Sequence, residues 1–358
     1  MSELPSPQRS TAADHPLRGI EVRERLEKTA ALVRQPDEEG RLWFDCEFRA
    51  LGSECGFYFH SRDEDQAYEF RRAALDWLSG FEARFSRFLP DSVVSAINAR
   101  AGTGEWIGID RDMESLLDLC EDWNFRTGGA FDATSLPLSR LWSWKASHDQ
   151  LPTPEEIASA RQRMGWKDVI REPGRIRLDR PGMELDLGGV GKEYAADSLR
   201  TLGIQVGLPD FMISLGGDIT VHGTPQEGGD WEIGLEDPEQ TEYTHSDICL
   251  PSGMAVATSG DYRRCFNFNG VRYGHILDCL TGMPVTHGTC AVSVVAKHCT
   301  LAGLASTSAM ILGGTEGLAE LNRMFGVEGC LLSRGSLLAS QNFDDYLLDE
   351  DDDVEGQN

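Results

Sequence analysis

The chain has 358 residues, 40% of them hydrophobic, and a formal net charge of -26. That length can bury a large core, and that charge argues against non-specific binding to nucleic acid or to an anionic membrane surface. Eight acids between Asp344 and Glu355 supply part of it, but the rest is acidic too, so an anionic ligand needs a local cation, a metal or aimed backbone N–H groups.

Residues 1–20 predict disorder, and residues 19–35 a surface helix. Residues 42–60 alternate and are rich in aromatics, which predicts a pair of strands around Gly52. Residues 63–85 place Ala67, Phe70, Ala74, Trp77, Leu78 and Phe81 at helical spacing. A second helix over 110–129 stops at Gly128 and Gly129, and a third over 153–165 starts at Thr153, with Glu156 completing a capping box. From 166 onward short strands dominate, at 168–171, 175–178, 183–187, 211–215, 231–235, 247–250, 254–258, 264–268, 271–277 and 290–296. Helices interrupt them at 193–203, 299–311 and 315–325, and a last strand pair ends near 341. Helices first and strands later, without regular βαβ alternation, predict an α+β fold. The expected organisation is a partly helical N-terminal extension (1–41), one large domain (42–341) and an acidic, disordered tail (342–358).

No window approaches 18 apolar residues, so no membrane span is expected. The nine cysteines show neither CxxC pairs nor regular spacing, which predicts reduced thiols. The N-terminus has no apolar h-region, twin arginine or lipobox cysteine, and the expectation is a cytoplasmic protein.

The segment "LDLGGVGKEYAAD" (185–197) runs from an apolar entry through a glycine turn into a helix. It fits neither the Walker spacing nor the Rossmann fingerprint. A helix N-terminus still offers N–H groups and a dipole to an anion. Lys192 sits in the first turn, where a cation is unfavourable for the helix, so it reads either as serving a ligand or as solvated. In "SLGGDITVHG" (214–223) a second double glycine precedes Asp218, as in a bulged hairpin. Within "ATSGDYRRCFNFNGVRYGHILDCLTGMPV" (257–285), Ser259-Gly260-Asp261 predicts a turn and Asn269-Gly270 a hairpin turn. There His275 precedes Asp278 by three residues: a base and its orienter, or two side chains bonding turn backbone. The small-residue helix "TLAGLASTSAMILGG" (300–314) carries Thr307 and suits close packing.

Taken in order, "FSRFLPDS", "GGAFDATSLPLSRLW", "DLGGVGKEYAAD", "SLGGDI", "ATSGDYRR", "HILDCLTGMPV" and "SVVA…LASTSAMILG" give a sequence that resembles the ApbE family, the FAD:protein FMN transferases, over roughly residues 42–341. The resemblance implies an ApbE-like (T-fold-like) α+β domain with helices packed on an antiparallel sheet. It implies FAD as substrate, Mg2+ as the metal, transfer of FMN to a threonine of a target protein (around Asp-x-x-Ser/Thr-Gly-Ala-Ser/Thr) and release of AMP. By the same resemblance Leu51, Phe88, Ala130, Phe131, Asp132, Asp186, Lys192, His275 and Ile276 contact FAD. The Gly189 carbonyl and the Thr307 hydroxyl reach the metal. His275 is the expected acceptor of the threonine proton. One position departs from the pattern: Gly303 falls where the family has its metal-binding aspartate. Magnesium wants a shell of hard oxygens, so the expected site is weakened, unless Asp218 or Asp278 substitutes in space. The alternatives at this departure are an FAD-binding protein without turnover and an FAD pyrophosphatase.

Overall fold

The computed structural model describes residues 16–35, 37, 40–146 and 149–348. Its frame is one sheet of nine strands among the described residues: β1 (Val33–Gln35), β2 (Leu42–Ala50), β3 (Ser53–Ser61), β4 (Phe211–Leu215), β5 (Asp218–His222), β6 (Ala255–Gly260), β7 (Thr289–Ala296), β8 (Val327–Ser333) and β9 (Ser336–Ala339). They lie side by side in chain order, and each runs antiparallel to its neighbour. Period-2 alternation sends Phe44, Cys46, Phe48, Phe57 and Phe59 into one core and Trp43 into another on the opposite face. β7 is buried along its whole length because both faces are covered.

The remaining elements fill the connections between strands. The long connection from β3 to β4 contains α2 (Glu64–Phe85), α3 (Val93–Ala99), α4 (Arg111–Arg126), α5 (Leu136–Leu141), α6 (Pro154–Arg161) and α7 (Gly191–Val206). α8 (Cys299–Leu312) and α9 (Gly314–Asn322) join β7 to β8. Phe70, Leu75 and Leu78 of α2, Leu199 of α7 and Met310 of α8 share one core with the sheet. On the other face the hairpin Trp231–Glu236/Thr244–Leu250 supplies Trp231, Ile233, Ile248 and Leu250. A third cluster sets Leu138, Trp142 and Met164 against Leu277.

Several predicted elements have the expected bounds or nearly so, including β2, β3, α2, α4 and the capping box at Thr153. Others differ. The helix expected over 19–35 is α1 (Pro16–Thr29), after which β1 takes over; Val22, Leu26 and Ala30 are buried in the main core, so this part of the extension packs on the domain. Residues 183–187 form no strand, since Glu184 makes only an isolated bridge to Ser135. Ser259 and Gly260 are still inside β6, paired with Val292 and Ala291, so the expected turn begins later. α3 and α5 are too short to show a periodic face in sequence. The chain remains packed past 341: Phe343 is fully buried, and the Leu348 N–H donates to the Asp247 carbonyl at 3.0 Å. The disorder expected for residues 1–15 and for the tail beyond 348 falls outside the described residues. No described helix is long and apolar enough to cross a membrane.

Candidate functional site

The loop before α7 is shaped by Asp186. Its Oδ1 accepts from the Gly188 N–H at 3.0 Å, and its Oδ2 pairs with Arg87 at 2.9 Å. The N–H groups of Val190 and Gly191 both donate to the Leu187 carbonyl, at 3.1 and 2.8 Å. These three loop N–H groups are therefore engaged internally, and the loop is less open to an anion than its glycines suggest. A Cβ on Gly189 would stand 3.3 Å from the Phe131 ring, so glycine lets the backbone lie close against that ring.

Lys192 is not a solvated lysine. Its Nζ forms an ion pair with Asp218, the first residue of β5, and lies 3.5 Å from Glu193 Oε1. Burial disfavours the ammonium, but Asp218 and Glu193 outweigh it and hold the lysine pKa above its ordinary value. Burial pushes Asp218 up to about 7, against the pull of Lys192. Gly216, with φ 70°, lets the β4–β5 turn pass close by: a Cβ there would sit 2.8 Å from Ser53 Cβ and 3.5 Å from Lys192 Cδ. Arg264 donates to Ser53 Oγ at 3.1 Å.

His275 is solvent-exposed, yet the protein around it disfavours a charged ring, and the cations Arg264 and Lys192 add to this. Its pKa is held well below that of an ordinary imidazole, so it is a neutral base at pH 7. Asp278 accepts from the Leu280 N–H at 2.9 Å across its own turn, which answers the open alternative at Asp278 in favour of turn bonding. Asp218 is thus paired with Lys192, and Asp278 bonds its own turn.

The other expected residues each have contacts of their own. Leu51 sits at φ 53°, rare for a non-glycine residue; its N–H donates to Glu82, which Arg25 grips through both oxygens at 2.7 Å. Phe88 is 72% exposed beneath the Arg87 guanidinium, 4.1 Å from the ring centre. Ala130 accepts from the Cys279 N–H at 3.1 Å, which ties the 130–132 stretch to the turn after Ile276. Asp132 is buried, with its pKa raised by burial, and its Oδ1 accepts from both the N–H and the hydroxyl of Thr134. That carboxylate is occupied with its own turn.

α7 and α8 are locked together by Asp197. Its carboxylate accepts from the Cys299 N–H (2.9 Å), the Thr300 N–H (2.9 Å) and the Thr300 hydroxyl (2.8 Å), and so caps α8 from outside. One turn earlier on α7, Glu193 faces Gly303, one turn later on α8. A Cβ built on Gly303 would stand 2.4 Å from Glu193 Cγ and 3.1 Å from Oε1. Glu193 is 7% exposed, and its Oε2 has no hydrogen-bond partner. Beyond it on α8, Thr307 Oγ1 lies 3.0 Å from Ser259 Oγ, which is 2.8 Å from Ser306 Oγ. Orphaned carboxylate oxygen and hydroxyls are the donors a hard divalent cation takes. Among the described residues no group of three or more His, Cys, Asp or Glu could hold a metal, so such a cation would also draw on hydroxyl, carbonyl and water oxygens.

The sequence assigned no site role to Glu193, Arg87, Arg264 or Ser259. An acid in the first turn of a helix is ordinary, so nothing local marks Glu193.

This geometry has relatives. The ApbE family pattern matches residues 51–331. An FAD:protein FMN transferase of Vibrio cholerae is 31% identical over 238 residues, covering 66% of this chain and 71% of that one. Another, from Klebsiella pneumoniae, is 32% identical over 257 residues, covering 70% and 73%. The crystal structure of the apbe protein of Thermotoga maritima matches with a TM-score of 0.77 at 30% identity, over 86% of this chain and 100% of that one. The chain belongs to the ApbE family.

Proposed function

We propose that this protein transfers the FMN moiety of FAD to a threonine hydroxyl of a target protein and releases AMP. The observation that carries the reading is the family match over residues 51–331, and His275, whose pKa is lowered, is its proposed base. The threonine oxygen attacks the FMN-side phosphorus of the pyrophosphate. The bond from that phosphorus to the bridging oxygen breaks, AMP leaves with the electron pair, and His275 takes the hydroxyl proton. Lys192 and Arg264 offset charge in a protein that is otherwise strongly acidic. Leu51, Phe88, Ala130, Phe131, Asp132, Asp186 and Ile276 are the proposed walls and contacts for FAD. Magnesium would be held by the Gly189 carbonyl, the Thr307 hydroxyl and a carboxylate, and would neutralise phosphate charge. The nine cysteines show no disulfide spacing in the sequence, and we place the reaction in the cytoplasm.

The test is to incubate the protein with FAD, Mg2+ and a peptide carrying the acceptor pattern. AMP release with the FMN mass on threonine is expected; no product at any metal concentration sinks the reading. AMP and FMN without acceptor would point to a pyrophosphatase instead. Replacing His275 with alanine should lower kcat/KM roughly 10²–10⁴-fold. Because the His275 pKa is lowered, the acid limb of kcat/KM should fall below pH 6.5, and a limb above that value would remove His275 as the base.

A further inference from the structure

We propose that Glu193 is the carboxylate ligand of the divalent cation, reaching from α7 into the place that a side chain at position 303 would fill from α8. The inference rests on the flavin-transfer reading only for the presence of a cation.

The first observation is one of volume. The Cβ of any residue at 303 would lie 2.4 Å from Glu193 Cγ and 3.0 Å from Cδ, so the two side chains cannot share the space. Gly303 admits the glutamate. The second is satisfaction. Glu193 is more than nine-tenths buried, and its Oε2 meets no donor. A buried carboxylate oxygen without a partner is costly, by about 1–3 kcal/mol or more for a charged group. The third is charge. Asp218 and Glu193 both approach Lys192, but the ammonium bonds Asp218 and keeps Glu193 Oε1 at 3.5 Å. The ammonium therefore does not saturate Glu193, and a bound cation completes its compensation.

The neighbours fit the same reading. Thr307 lies four residues after Gly303 on α8, hence on the same helix face, and is joined to Ser259 on β6. The set is oxygen-only and partly neutral, which suits Mg2+ or Mn2+ with several waters retained. Asp197 fixes the α7–α8 register one turn away, so Glu193 is presented by a braced pair of helices. The carboxylate absent from position 303 is thus supplied by the facing helix.

The test measures metal directly, without turnover. Full-length protein is titrated with Mn2+, with and without FAD, following the free-ion signal by electron paramagnetic resonance. Wild type should bind. E193Q should bind at least tenfold more weakly, and E193D should fall between the two. The exchange variant E193G/G303D, which returns the carboxylate to α8, should recover affinity to within a few fold. Circular dichroism checks that each variant is folded, and E193D serves if E193Q is not. Wild-type affinity in E193Q, or no Mn2+ binding by the wild type, overturns the proposal. Glu193-dependent Mn2+ binding without flavin transfer would leave this site standing and sink the proposed function instead.

Discussion

α7 carries two buried carboxylates one turn apart, and α8 meets them in opposite ways. At Asp197 it offers two backbone N–H groups and a hydroxyl; at Glu193 it offers the bare Cα of Gly303. The first carboxylate is saturated and acts as a strut between helices. The second keeps an unpartnered oxygen. Buried polar groups that structure alone requires are satisfied, so an orphan beside a satisfied twin is informative about ligands.

The contrast predicts a graded series. Replacing Asp197 with alanine strands the first two N–H groups of α8 in a buried place and should cost about 3 kcal/mol or more in urea denaturation. A loss under 1 kcal/mol would mean that Asp197 is no strut. Next comes G303D, which forces a Cβ against Glu193 and should cost about 2 kcal/mol; the same change in an E193G background should cost much less. If G303D is neutral alone, the two helices are not packed as described. E193Q should change stability least, by about 1 kcal/mol or less in either direction, because it removes an unbalanced charge along with a weak contact. A large loss would make Glu193 a strut like Asp197.

A pH measurement sharpens the picture at Lys192. The folded pKa of Asp218 lies above its ordinary 3.8, at about 7, so the folded state holds its proton more tightly than the unfolded state. Its contribution to stability is present at low pH and is lost as pH rises from about 4 through about 7. The Tm difference between wild type and D218N should shift in that direction across the window, and a shift of opposite sign would place Asp218 as an ordinary ionised partner of Lys192.

Much of the frame was legible. Aromatic alternation at 42–60, the apolar face of 63–85 and the capping box at Thr153 depend on spacings of two to four residues, and all appear as expected. The strand expected at 183–187 does not form and the turn expected at Ser259 begins later, because apolar runs next to glycines do not say which groups will pair. The family resemblance put the expected centre at Lys192, Gly189, His275 and Thr307, and the chain's membership of the family supports the frame on which they stand. The pairing of Lys192 with Asp218 and the bonding of Asp278 within its turn joined or separated residues in ways their spacing did not show.

By itself, the sequence determined the α+β class, the periodic elements, and the fact that position 303 has no carboxylate. Only the tertiary structure decided where a carboxylate stands instead. Glu193 and Gly303 are more than a hundred residues apart, and their meeting follows from the antiparallel register of α7 on α8, set by Asp197 and by close packing on the sheet. Local periodicity fixes which face of a helix is apolar; it does not fix which side chain of another helix arrives opposite.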